Sequence, residues 1–376
     1  MMEALTGAMV FDGDSLREGL AVLVDGPLIA DVVAETRVVA GARRHELAGG
    51  VLAPGFIDLQ VNGGGGIQFN AEPTPKGIRQ IAEAHRRHGT TALLPTVITD
   101  APEVMKRAIG AIAEVRAEGL PAVLGIHVEG PFIDVKRKGA HDAKFIRVMT
   151  RADVDALSAA ECGLMMLTVA PNCVDPQMIG QLADVGVIVS LGHADASAEE
   201  AQAALSAGAR AFTHLFNAMS QLEGRAPGMV GTALADRNCF CSIIADGHHV
   251  RDMALRAAIA AKSLDRIILI SDAMASAAGG PDHFELQGRP VTRVEGRLQL
   301  DDGTLAGSNL TMEAAVRYCV KNLSVRLEDA LRMASLNPAT LIKREKHLGR
   351  IAPGYIANLV HLDENLRVRK TWIEGS

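Results

Sequence analysis

Aromatic side chains are scarce: one Trp, two Tyr and nine Phe make up 3% of 376 residues. Extended platforms for stacking bases or sugars are therefore not expected. Cysteine is sparse, and no two of the five form a C-x-x-C pair. Cys162, Cys173, Cys239, Cys241 and Cys319 read as buried free thiols, not as a zinc or redox motif. No apolar run is long enough to span a membrane. The stretch MMEALTGAMVFDGD lacks a basic region followed by an apolar one, so no export signal is read there. An odd number of cysteines suits a reducing compartment, and a cytoplasmic location is the expectation. Positive charge is not in excess either. The formal net charge is −6, and the basic clusters Lys136-Arg137-Lys138 and Lys343-Arg344 are short. They read as solvated surface, so nucleic acid is not an expected partner. No P-loop or dinucleotide signature points to a nucleotide cofactor.

What is present is a long alternation. Hydrophobic residues make up 48% of the chain and charged ones 22%, an ordinary globular balance with ample core. Eight apolar runs read as buried parallel strands: VLAPGFIDLQ, TALLPTVI, AVLGIHVE, LMMLTVAP, GVIVSLGH, ARAFTHLF, FCSIIADG and RIILISDA. Helix-period stretches separate them, with start signals at Ser197 and at Asp175-Pro176. Eight β-then-α units predict an α/β fold, a (β/α)8 TIM-type barrel over residues 51–349. Residues 1–50 and 350–376 read as hairpins that pair into one small β-sandwich domain. Residues 274–308 interrupt the alternation and read as a β-hairpin insertion over the mouth, placed to act as a lid.

The chemistry sits at the ends of the runs. Glu129, His193 and His214 end three separate strands, and strand ends of a barrel converge on one mouth. A carboxylate and two imidazoles there, with positions left open, describe a catalytic site for one divalent metal. Zinc is the first choice, and iron, manganese and cobalt suit the same donors. Asp272 ends the eighth run and reads as a general base beside the metal, the pairing that hydrolysis needs. Asp58 and Gln60 share a face of the first strand. An amide is a poor ligand where a histidine pair would suggest a second metal, so one metal is expected.

Other residues carry weaker signals. His127, two residues before Glu129, reads as structural. His141 lies on the loop after the third strand, placed to donate to a substrate carbonyl. His85 and His88 sit a turn apart on an outer helix and read as solvent-exposed. Gly63 to Gly66 read as a flexible loop. Asp246-Gly247-His248-His249 closes the seventh strand, with one histidine free to face substrate. Arg225 follows the sixth strand, where it could pair with an anion.

Together PGFIDLQVNGGGG, HVEGPF with KGAH after it, SLGHADA, FTHLFNAM, DGHHV, ISDAM, GTLAGSNLTM and GRIAPGYIANLV resemble the N-acetylglucosamine-6-phosphate deacetylase family of the amidohydrolase superfamily. The resemblance runs through most of the chain. It implies that Glu129, His193 and His214 bind the metal, that Asp272 is the catalytic acid/base and that His141 polarises the acetyl carbonyl. It further implies that Asn217, Ala218, Arg225 and His249 line the sugar-phosphate site. Ala140, Leu305, Ala306 and Gly307 would complete the sugar pocket. Gln60 matches the single-metal type of the family. The implied substrate is a phosphorylated amino sugar, the implied assembly a homodimer, with no membrane partner. Deacetylation of another N-acyl sugar, such as N-acetylgalactosamine 6-phosphate, and hydrolysis of a cyclic amide are the alternatives.

Overall fold

The computed structural model describes residues 2–376. Its centre is an eight-stranded parallel sheet in chain order: β1 (Phe56–Val61), β2 (Thr90–Ile98), β3 (Gly125–Glu129), β4 (Leu164–Val169), β5 (Ile188–Leu191), β6 (Ala211–Phe212), β7 (Phe240–Ile243) and β8 (Ile267–Leu269). Most positions in these strands are buried whichever way they point. That explains runs of apolar residues without alternation, since helices cover the outer face and side chains fill the inner one. The ring closes just past β8, where Ala273 bridges Val61 in parallel and the Asp272 N–H donates to the Gln60 carbonyl at 3.0 Å.

The outer layer comprises α1 (Pro75–Arg86), α2 (Pro102–Ala117), α3 (Arg151–Ser158), α4 (Pro176–Asp184), α5 (Ala198–Ser206), α6 (Gly228–Ala235), α7 (Asp252–Ala261) and α8 (Met312–Asn322), with α9 (Leu327–Ala334) and α10 (Leu336–Leu341) after it. Starts are fixed locally. Ser197 and Glu200 form a capping box, and Asp175 accepts from the Gln177 N–H before Pro176 opens α4. His85 lies on α1 but is fully buried, its Nε2 2.9 Å from the Gly63 carbonyl, and half-buried His88 pairs with Glu313 at 2.7 Å. The solvent-exposed reading of both is therefore corrected: His85 shares the face of Ile78, Ile81 and Ala82 that packs on the barrel.

Two sheets built from the chain ends lie beside the barrel. One runs Leu28–Ala34, Leu20–Asp25, Glu3–Thr6, Arg43–Glu46; the other runs Val368–Trp372, Leu359–Leu362, Val51–Pro54, Met9–Phe11, Leu16–Arg17. They share an apolar cluster that includes Leu5, Val22, Ile29, Leu52, Leu359 and Trp372. The run VLAPGFIDLQ divides at Gly55, with Val51–Pro54 in a terminal sheet and β1 in the barrel. A Cβ at Gly55 would stand 2.2 Å from the Thr91 side chain, so only glycine fits at this crossing.

The insertion is a three-stranded antiparallel sheet, not a hairpin: β9 (His283–Leu286), β10 (Arg289–Val294) and β11 (Arg297–Leu300). Leu286, Val291, Leu298, Leu300 and Ala306 form a small cluster with Ile98 and Met274 from the barrel mouth. The glycine run is also more ordered than a flexible loop. Gly63 and Gly64 are buried and pair with Ile67–Gln68, and backbone N–H groups of Gly63, Gly65 and Gly66 donate to carbonyls of residues 273, 277 and 275.

Candidate active site

The mouth gathers residues that strand ends alone could not aim. His193, His214 and Asp272 have φ values of 49°, 35° and 50°, a left-handed conformation that costs a non-glycine residue about 1–3 kcal/mol. Each chain turns sharply as it leaves its strand, and the side chain swings over the barrel axis.

Glu129 Oε1 lies 3.2 Å from His193 Nε2 and 3.1 Å from His214 Nε2, and the two Nε2 atoms are 3.0 Å apart. All three side chains are buried. The Nδ1 of His193 is 2.9 Å from the Arg137 carbonyl, which can only accept. Nδ1 therefore carries hydrogen, which leaves Nε2, facing the carboxylate and the second imidazole, as the nitrogen able to offer a lone pair. Lone pairs converging on one point require a positive charge between them. Donors sharing one ion at about 2.1 Å each stand roughly 3–3.4 Å apart, so this triangle fits a single divalent metal.

The charges agree with that geometry. Burial opposes ionisation of Glu129, but the two histidines overcome it and hold the carboxyl well below its usual range. Burial disfavours charge on His214, and its bond to Glu129 raises its pKa nonetheless. A proton on His214 and a metal cation answer the same carboxylate.

Asp272 stands beside the triangle. Burial, reinforced by the Glu129 charge, pushes its carboxyl up to about 6. Its Oδ1 accepts from Gln60 Nε2 at 3.0 Å and from Asn62 Nδ2 at 2.7 Å, and Gln60 Nε2 also donates to Glu129 Oε1 at 3.1 Å. Gln60 is thus a spacer between two carboxylates, a role its amide performs and an imidazole ligand could not. Deeper in the barrel, burial pushes Asp58 up to about 7. His127 lies fully buried below the site, with Nε2 2.8 Å from Thr168 Oγ1, and burial lowers it to about 4.

A cavity of about 400 Å³ opens above the triangle. Glu129, His193, His214, Asp272, His141, Asn217, Ala218, His249, Ala140, Leu305 and Gly307 all line it. His141 Nδ1 is 2.7 Å from Thr99 Oγ1, and Nε2 is 4.0 Å from Glu129 Oε2. His249 is oriented by Asp246, whose Oδ2 lies 2.7 Å from Nδ1. Two expected lining residues are elsewhere. Arg225 is exposed and outside the cavity wall, and Ala306 is buried in the small cluster of the insertion. The cations at the wall are Lys136 and Arg137, from the segment expected to be plain solvated surface. Asn62 and Thr99 escaped the sequence reading, although Asn62 continues the alternation of Asp58 and Gln60, and Asp246 was noted only as closing its strand.

A parallel barrel with a buried aspartate beside a two-histidine, one-carboxylate triangle at its C-terminal mouth has the design of a metal-dependent hydrolase. The comparisons narrow the class. The amidohydrolase family profile matches residues 51–376, and the chain belongs to that family. It is 41% identical over 371 residues to N-acetylgalactosamine-6-phosphate deacetylase of Shewanella sp. (strain ANA-3), covering 98% of this chain and 94% of that one. It is 32% identical to N-acetylglucosamine-6-phosphate deacetylase of Haemophilus influenzae, covering 100% and 99%. The crystal structure of N-acetylglucosamine-6-phosphate deacetylase from Pasteurella multocida superposes with a TM-score of 0.97 at 34% identity, covering 100% and 99%. No helix among the described residues is long and apolar enough to cross a membrane.

Proposed function

We propose that this protein hydrolyses the acetamido group of N-acetylglucosamine 6-phosphate, releasing acetate and glucosamine 6-phosphate. The observation that carries the reading is Asp272, held through Gln60 beside the Glu129–His193–His214 triangle at the floor of a sugar-sized cavity. The 41% identity to a galactosamine-type deacetylase supports a second reading, in which the 4-epimer is the preferred sugar.

Glu129, His193 and His214 would hold one divalent ion, with zinc as our assignment. The ion supplies electrophilic activation of water and of the amide carbonyl. Asp272 removes a proton from the attacking water. Its Oδ1 is occupied by Gln60 and Asn62, so Oδ2 is the oxygen that takes the proton. In the tautomer in which Nδ1 accepts from the Thr99 hydroxyl, 2.7 Å away, His141 carries its proton on Nε2 and offers it to the developing oxyanion. Asp272 then returns its proton to the departing nitrogen, since an amide-type anion is too poor a leaving group. Asn217, Ala218 and His249 line the sugar-phosphate site, and Arg225, in the same loop as the first two, reaches the phosphate from outside the wall. Ala140, Leu305 and Gly307 enclose the sugar. The working form in this reading is a cytoplasmic homodimer, and sedimentation of the purified protein checks the dimer.

Acetate release by metal-loaded protein from N-acetylglucosamine 6-phosphate, N-acetylgalactosamine 6-phosphate and unphosphorylated N-acetylglucosamine tests the reading. We expect chelator-sensitive activity that is greatest on the first. Greater activity on the second would select the alternative, and none on any would refute both. Metal analysis of purified protein checks the zinc assignment.

A further inference from the structure

Gln287 in the turn between β9 and β10 and Arg289 at the start of β10 each make a side-chain contact beside His141, one to the loop after β2 and one to the loop that carries His141. Gln287 Nε2 donates to the Thr99 carbonyl at 2.7 Å, and the Arg289 guanidinium donates to the Ala140 carbonyl. Ala140 immediately precedes His141, and the Thr99 hydroxyl is the His141 Nδ1 partner at 2.7 Å. The two contacts therefore grip His141 from both sides, one through its own backbone and one through the residue that holds its ring. Arg289 also reaches Gln287 Oε1 at 3.3 Å, which joins the two into one clasp.

The local backbone argues that this is no incidental contact. Gln287 and Gly288 form a two-residue hairpin turn with φ values of 54° and 74°. Such turns favour glycine, asparagine or aspartate at the first position. A glutamine there gains nothing for the turn, but its longer side chain crosses to Thr99. Packing strengthens the grip. Leu286, fully buried at the end of β9, lines the cavity and packs in a cluster with Ile98, next to Thr99, while Ala140 packs against the same cluster.

We infer that Gln287 and Arg289 are positioning residues for His141: the docked insertion sets the catalytic ring through Thr99 and Ala140, so closing the sugar pocket and completing the oxyanion donor are one event. This rests on the deacetylase reading for the role of His141. A loosely held ring loses transition-state stabilisation more than ground-state binding, because small errors in placement are costly at the reacting atom.

The test uses Gln287→Glu, which keeps the size but removes the donor, and Arg289→Met, which keeps the apolar stem. Each is made in the full-length protein and again in a His141→Asn background. We expect each to lower kcat about ten-fold with a smaller change in KM, and to do so only when His141 is present. Arg289→Lys should restore part of the loss. Equal fold-losses in both backgrounds would overturn the inference and assign the clasp to enclosure alone. A second readout is independent of turnover: the ¹⁵N signals of the His141 imidazole should shift in Gln287→Glu. Signals unmoved by both substitutions overturn the positioning role. Shifted signals in a protein inactive on every amino sugar would sustain it and refute the deacetylase reading.

Discussion

The terminal sheets and the barrel mouth solve opposite problems with the same chain. The cluster between the terminal sheets is apolar: leucine, valine, isoleucine and one buried tryptophan fill it. The mouth buries two acids and three histidines within a few ångströms of one another and holds three of those five in left-handed backbone. The first region gains stability from each residue it buries. The second spends it on converging lone pairs, crowded carboxylates and strained turns, and the rest of the fold holds it in place. Stability and activity should therefore respond separately to substitutions in the two places.

The sharpest way to break that contrast is Asp272→Asn. We expect turnover to fall about a thousand-fold, within the range for losing a general base and acid, with melting unchanged or raised because a crowded charge is gone. A variant that retains most of its activity would remove Asp272 from the chemistry. The mirror experiment is Trp372→Ala. It should cost about 3–5 kcal/mol in denaturant unfolding while the folded fraction keeps its kcat. Equal damage to kcat would show that the terminal sheets reach the site.

Metal removal probes the point where the two properties meet. A chelator should lower the stability of the wild type by about 3 kcal/mol for metal at a hundred-fold excess over its Kd, and should leave Glu129→Gln unmoved. A chelator response retained in Glu129→Gln would place the metal elsewhere. Smaller still is Arg225→Ala. KM for the phosphorylated sugar should rise about ten-fold, the worth of one charge-assisted hydrogen bond, and KM for the unphosphorylated sugar should not. Equal changes would leave phosphate recognition to the cavity wall.

The smallest expected effect is pH-dependent and lies on the outer surface. Hydrogen bonds from Arg147, against a smaller opposing effect of burial, depress the Asp153 carboxyl from 3.8 to about 2, where it also closes the capping box of α3. A depressed carboxyl stabilises the fold above its ordinary pKa, and that contribution fades as pH falls from about 4 toward about 2. Asp153→Asn should lose about 1 kcal/mol at neutral pH and show a shallower acid limb in thermal melts. An unchanged acid limb would assign that loss of stability to other carboxylates.

Much of the candidate site was legible because Glu129, His193 and His214 each end an apolar run. Barrel topology then brings Glu129, His193 and His214 together without any knowledge of loops. What escaped has physical reasons. α6 reads GMVGTALA, and six of its eight residues are buried, so no polar face marks its period. α10 carries Pro338 in its first turn, where proline is tolerated but reads as a stop. His85 was misread although its spacing from Ile78 and Ile81 placed it on the packed face. The clasp was beyond reach. Arg289 and Ala140 are 149 positions apart, and nothing local marks either as the other's partner. Arg225 shows the reverse, a loop residue assigned by motif whose side chain the fold leaves outside the cavity wall.

The seam of the barrel has a consequence in time. Glu129, His193 and His214, the residues proposed to hold the metal, all precede residue 215, whereas Asp272 enters only where the last strand meets the first, held by the Gln60 carbonyl and the Val61–Ala273 bridge. During synthesis the chain therefore owns the whole triangle well before it owns the carboxylate proposed as its base. Hydrolytic competence waits for the ring to shut, so the nascent protein is chemically silent until its architecture is complete.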